Sequence, residues 1–140
     1  MRVVRLRAPG GPEQLAVEEA DRPQPGPGEA LVRVHAAAIT RGELEWPVDR
    51  LPAIPSYELS GVVEEVGSGV ASVAAGDEVF ALTSFDRDGV AADYTAVPAE
   101  QLVARPRALG HTESAQSRCP RSPPGKGCST AAGSAPASTC

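Results

Sequence analysis

The sequence predicts a mainly β fold, an irregular barrel with one or two short helices followed by a disordered C-terminal tail, and three observations predict it. Gly and Pro number 14 each in 140 residues while aromatics make up only 4%, a balance that favours many turns over a helical bundle. About seven short apolar runs recur at intervals near ten residues, punctuated by Gly, Pro and Asp, the spacing of a barrel or sandwich whose edges closure would hide. Residues 116–140 contain no Ile, Leu, Val, Met, Phe, Trp or Tyr, so they cannot bury enough apolar surface to offset their ordering entropy.

Taken in order, residues 1–7 read as a first strand, and Pro9-Gly10-Gly11-Pro12 reverses the chain into a second short strand at Leu15, Val17 and Glu18. Arg22 to Gly28 is too rich in proline for a ladder and reads as an extended connection. Glu29 to Ala38 follows as a strand with Val32 and Val34 on one face and Leu31, Arg33 and His35 on the other. His35 has no partner motif nearby and reads as a structural or surface histidine. Thr40-Arg41-Gly42-Glu43 has the S/T-x-x-E form of a capping box, opening a short helix through Leu44 and Trp46 that Pro47 ends.

The stretch Ile54-Pro55-Ser56-Tyr57-Glu58-Leu59-Ser60-Gly61 carries a loop into a β-branched strand that runs to Val66 and stops at the Gly67-Ser68-Gly69 turn. Ala75-Gly76-Asp77 turns into a strand over Glu78 to Leu82, Ala91 to Val97 forms another, and Pro98 to Val103 reads as the short strand that closes the barrel.

The net charge of −5 argues against nucleic acid as a partner. No apolar run approaches the ~20 residues of a membrane span and the N-terminus lacks a signal-peptide core, so the chain reads as cytoplasmic. Cys119, Cys128 and Cys140 match no zinc or redox spacing. Three of the thirteen basic residues and none of the eighteen acidic ones lie in 116–140, which leaves residues 1–115 at −8.

The capping-box loop at Ile39–Trp46, the Ser56-Tyr57-Glu58 loop before a Gly-Val-Val strand, and Gly76-Asp77-Glu78-Val79-Phe80 together resemble the N-terminal, GroES-like domain of medium-chain dehydrogenases/reductases, in the zinc-free quinone oxidoreductase branch. The resemblance covers about residues 1–115 and implies a GroES-like β-barrel on the substrate side of an NADPH-dependent oxidoreductase that reduces a quinone or enone by hydride transfer. In zinc-dependent members these loops carry a Cys and a His beside a Glu, where this chain has Thr40, Tyr57 and Glu58, so the resemblance implies no zinc.

By family position Tyr57 and Thr40 are the catalytic candidates, and Arg41, Glu43, Trp46 and Glu58 the residues of the substrate and cofactor cleft. Each has a plainer reading. Thr40 and Glu43 are also a helix cap, Trp46 packing, Tyr57 a wall of the cleft, and Glu58 an ion-pair partner for Arg41 or Arg50. Ser56 stands where relatives often have Gly, which puts the conformation of that loop in question.

Gly67-Ser68-Gly69 has no third glycine and no following helix, and Pro124-Gly125-Lys126-Gly127 fails as a phosphate loop, so a dinucleotide-binding unit is missing and the chain alone is expected to be inactive. Lys126 is the chain's one lysine against twelve arginines, which suggests a GC-rich gene. Read one base over, the tail acquires apolar spacing similar to this family's continuation. A frameshift near Ala115-Gln116 is therefore expected, with a genuine Ser/Pro/Ala linker as the alternative. Two other functions compete: a stand-alone GroES-like binding or scaffold module, and a fragment of a biosynthetic enoyl reductase. Apolar surface left without its second domain would favour association.

Overall fold

Strand β3 (Glu29–Ala38) is the longest element and the rest is laid around it. The computed structural model describes residues 1–45 and 49–116. The tail readings beyond Gln116, and Trp46, fall outside those residues. Besides β3 the chain forms β1 (Arg2–Leu6), β2 (Leu15–Glu19), β4 (Glu58–Val66), β5 (Glu78–Leu82), β6 (Tyr94–Pro98), β7 (Val103–Ala104) and α1 (His111–Gln116), with short 3-10 turns at Pro12–Gln14, Arg41–Leu44 and Ala99–Gln101. None of the described helices is long and apolar enough to cross a membrane.

The fold is mainly β, as the sequence predicts. Five strands make one antiparallel sheet in the order β6-β3-β4-β5-β7, and β1 and β2 pair as a separate hairpin. The hairpin is tied to the rest by bridges Val3↔Ala92 and Leu6↔Ala53. The five-stranded sheet does not close on itself, since β6 and β7 remain its ends.

One face of this sheet carries the core. Val32, Leu59, Val63, Val79 and Ala81 project from three adjacent strands and pack with Val90, Val97, Ala99 and Leu102. Each fully buried Val or Leu contributes about 1.5–3 kcal/mol, which is why the apolar alternation pins the register. Ser60 lies between core residues Leu59 and Val63 but points to the opposite face, where α1 packs across β3, β4 and β5.

Three local differences from the sequence reading have physical causes. Residues 91–93 do not begin β6, because their backbone is already spent on β1: Val4 N donates to Ala91 O at 2.8 Å and Asp93 N to Arg2 O at 2.9 Å. The closing strand shrinks to the two residues of β7 after Ala99–Gln101 turns as 3-10 helix. Helix α1 is absent from the sequence reading, since its six residues show no apolar periodicity.

Close strand approach demands glycine at one position. A Cβ on Gly61 would collide with the carbonyl oxygen of Arg33 on β3 and sit 2.9 Å from Val32 Cγ1. Gly61→Ala is expected to lower unfolding free energy by about 1–3 kcal/mol, seen as a reduced urea midpoint at unchanged slope. A midpoint equal to the parent's would contradict this packing.

Candidate functional site

The site is assembled around one carboxylate. Thr40 sits in extended backbone, φ −89° and ψ 150°, at the head of the 3-10 turn Arg41–Leu44, so Glu43 comes back toward it in a capping box. Glu43 Oε1 accepts from Thr40 N at 3.3 Å and from Thr40 Oγ1 at 2.9 Å. Its other oxygen, Oε2, accepts from the buried Ser56 N at 2.7 Å. Glu43 is only 8% exposed, and burying a carboxylate is costly unless such hydrogen bonds replace water. Two loops separated in sequence are thereby held by a single side chain.

Ser56 needs that hold. Its φ of +72° lies in the left-handed region, at a cost of about 1–3 kcal/mol for a residue other than glycine. The conformation is over-determined by its surroundings: Ser56 Oγ donates to Glu58 O at 3.2 Å, and Val90 N donates to Ser56 O at 2.7 Å. Gly89 N also donates to Ile54 O at 2.8 Å and Ala91 N to Pro55 O at 3.1 Å. A side chain at Gly89 would run into the carbonyls of Ile54, Pro55 and Ser56, so glycine there lets the two backbones touch.

Tyr57 follows on this loop and is buried. Its carbonyl accepts from Thr83 N at 2.7 Å and Thr83 Oγ1 at 3.1 Å. Its ring meets Phe85 edge-on, centroids 4.8 Å apart at 63°, while Phe85 itself is 53% exposed. Arg50 spans the same loop, donating to Asp86 O at 2.8 Å and Phe85 O at 2.9 Å. Burial pushes the Tyr57 phenol above its ordinary value of 10; the Arg50 cation opposes this, and Glu43 and Asp88 reinforce it. At neutral pH the group is a protonated donor.

The other sequence candidates fall as follows. Arg41 is exposed at the start of the 3-10 turn, and Glu58 opens β4 half-buried, opposite Ala38 and Leu82. Gly67-Ser68-Gly69 lies between β4 and β5, not between a strand and a helix. No group of three or more His, Cys, Asp or Glu suited to a metal ion occurs among the described residues. His35 is exposed on β3 and stacks on His111, away from this cluster. Phe85 and Gly89 are the participants that sequence reasoning did not assign, and Arg50, read only as an ion-pair partner for Glu58, holds the carbonyls of Phe85 and Asp86. An isolated aromatic inside the charged run Phe85-Asp86-Arg87-Asp88-Gly89 was the available signal.

Residues 26–107 match the family described as alcohol dehydrogenase GroES-like domain. L-threonine 3-dehydrogenase of Pyrococcus horikoshii is 32% identical over 65% of this chain and 35% of its own length. The quinone oxidoreductase from Coxiella burnetii superposes with a TM-score of 0.75 at 25% identity, covering 82% of this chain and 40% of that one. Escherichia coli quinone oxidoreductase complexed with NADPH gives 0.73 at 28% identity, with 84% and 37% covered. The chain thus spans little more than a third of the length of these proteins.

Three measurements check the site's geometry. Glu43→Gln puts an amide NH2 where one of the carboxylate oxygens accepts, and it is expected to cost about 1.5–3 kcal/mol in denaturant unfolding. Thr40→Ala, which loses only the cap, is expected to cost about 0.5–2 kcal/mol; equal losses would mean that the Ser56 bond adds nothing. Spectroscopic titration should place the Tyr57 phenol above pH 10, identified by its disappearance in Tyr57→Phe. Because the raised value favours the neutral form in the folded state, stability should fall as pH climbs from the unfolded value near 10 through the folded one.

Proposed function

Because the chain belongs to the alcohol dehydrogenase GroES-like domain family, within the medium-chain dehydrogenases/reductases, we propose that it forms the substrate side of a zinc-independent, NADPH-dependent oxidoreductase that reduces a quinone or an enone by hydride transfer. In this reading Tyr57 and Thr40 are the catalytic contacts, and Arg41, Glu43, Trp46 and Glu58 border the cleft. The observation that carries it is the protonated phenol of Tyr57, mounted on a loop that Glu43 ties to the Thr40 turn. A phenol that stays neutral can donate to a carbonyl oxygen as negative charge develops there. The exposed face of Phe85 beside it supplies an apolar wall for a flat acceptor.

Zinc fits this donor set poorly. Thr40 offers a neutral hydroxyl and Tyr57 a phenol held away from the phenolate form, whereas zinc takes thiolate, imidazole or carboxylate. The described residues also lack a glycine-rich turn between a strand and a helix, so they do not suit the nucleotide either. NADPH, when bound elsewhere in such an enzyme, supplies the hydride. This chain's part is to position the acceptor and to offer its oxygen a proton donor.

The test measures NADPH oxidation with a panel of quinones and enones, for the 140-residue chain alone and for residues 1–115 joined in frame to the nucleotide-binding half of the E. coli enzyme. The chain alone should turn nothing over. The fusion should be active, unaffected by a zinc chelator, and slowed about tenfold or more in kcat by Tyr57→Phe. A folded, NADPH-binding fusion that reduces no acceptor would refute the reading. So would activity that a chelator abolishes and zinc restores.

A further inference from the structure

We propose that α1 is held on the sheet by a proton-sensitive clasp, the stacked pair His35–His111 together with Ser60, and that acid releases the helix. The two rings lie 4.5 Å apart at 23° and close over the buried Ser60, whose Oγ is 2.7 Å from His111 Nδ1. His35 reaches this position by the alternation of β3, which turns Val32 to the core and His35 to the face where α1 packs. Between Val34, paired with Gly61, and Ala36, paired with Ser60, the register skips His35, so it has no cross-strand partner of its own. The bulge brings Ala36, the partner of Ser60, to that face as well, so two successive residues of β3 lie under the helix side of the sheet.

Every element packed against His111 contributes to its electrostatics. β3 supplies His35 and β4 the neutral Ser60; β5 supplies Glu78, whose Oε1 is 3.7 Å from Nε2. The segment after β7 supplies Arg105, itself paired with Glu78 and with the carbonyl of Leu109. On α1, the Glu113 side chain lies over Gly110. Desolvation, the His35 ring and the Arg105 cation hold His111 below the ordinary imidazole value of 6.5, and Glu78 opposes them.

Ser60 lets the clasp take up a proton without losing its hydrogen bond. With His111 neutral at Nδ1, the Ser60 hydroxyl can donate to that nitrogen. Once Nδ1 is protonated it donates to Ser60 Oγ, whose own proton turns to Val79 O, 3.2 Å away. Acid therefore acts through charge: two stacked imidazoles cannot both ionise without repulsion, and Arg105 adds to it.

The helix is poorly able to resist. Six residues do not sustain a helix in water, so α1 depends on docking. Its contact face includes Ser114, 1% exposed, whose Oγ has no hydrogen-bond partner among the described residues.

The sign follows from the lowered value. The unfolded or undocked histidine binds its proton more readily, so docking should be intact above pH 6.5 and weaken as pH falls below it, levelling off beneath the docked value. Amide protection factors, corrected for intrinsic exchange, are measured by NMR on the full chain at pH 8 and 5.5. Ser114, Ala115 and Gln116 should lose protection about threefold or more, a factor of ten corresponding to one unit of displaced pKa, while core amides of β3 and β4 hold theirs. His111→Asn keeps an acceptor near the Nδ1 position and removes the titration, so its α1 amides should show no such loss. In His35→Gln the NMR titration midpoint of His111 should rise. Unchanged α1 protection between the two pH values, an identical response in His111→Asn, a loss shared equally by the core, or an unmoved His111 midpoint would each overturn the clasp.

Discussion

The candidate site depends on the sharing of one buried carboxylate between two loops. Glu43 spends one oxygen on the turn that contains it and the other on Ser56, thirteen residues away. Neither bond alone would accomplish this. The first is a local cap of the kind any isolated helix start uses, and the second would leave a carboxylate poorly satisfied in a buried place. Together they convert a local signal into a tertiary restraint, and the candidate residues on both loops inherit their positions from it.

That restraint explains how a strained residue persists. Ser56 occupies the left-handed region that glycine adopts freely. Hydrogen bonds from Val90 to its carbonyl and from its own amide to Glu43 offset the strain. The approach of the 89–91 backbone is in turn open only because residue 89 has no side chain. Tyr57 leaves this over-determined corner with its ring buried against Phe85, and burial rather than any neighbouring charge dominates its acid strength. The chemical consequence is a donor that stays a donor at physiological pH.

The sheet separates two regions with different physics. On its core face, apolar side chains from β3, β4 and β5 pack with little polar content. On the opposite face a short helix rests on hydroxyl and imidazole groups, Ser60, His35 and His111, with Glu78 and Arg105 at the margin. The core face contributes stability at any pH near neutral, while the helix face rests in part on His111, whose imidazole burial holds below its ordinary value. The polar attachment is the element of this fold poised to respond to its surroundings.

Much of the architecture was legible in the chain. Apolar runs opened by a glycine turn, at Gly28 and at Gly76, located β3 at Glu29–Ala38 and β5 at Glu78–Leu82, and Thr40-x-x-Glu43 announced its cap, because these signals act within a few residues. What the chain could not disclose were the choices made between distant segments. The second oxygen of Glu43, the pairing of residues 91–93 with β1, the meeting of Tyr57 with Phe85, and the stacking of His35 on His111 all join positions far apart in sequence. No local pattern encodes such contacts. By itself the sequence determined which segments become strands and caps; only packing decided which of their polar groups would meet, since that depends on the sheet bringing them within hydrogen-bond reach.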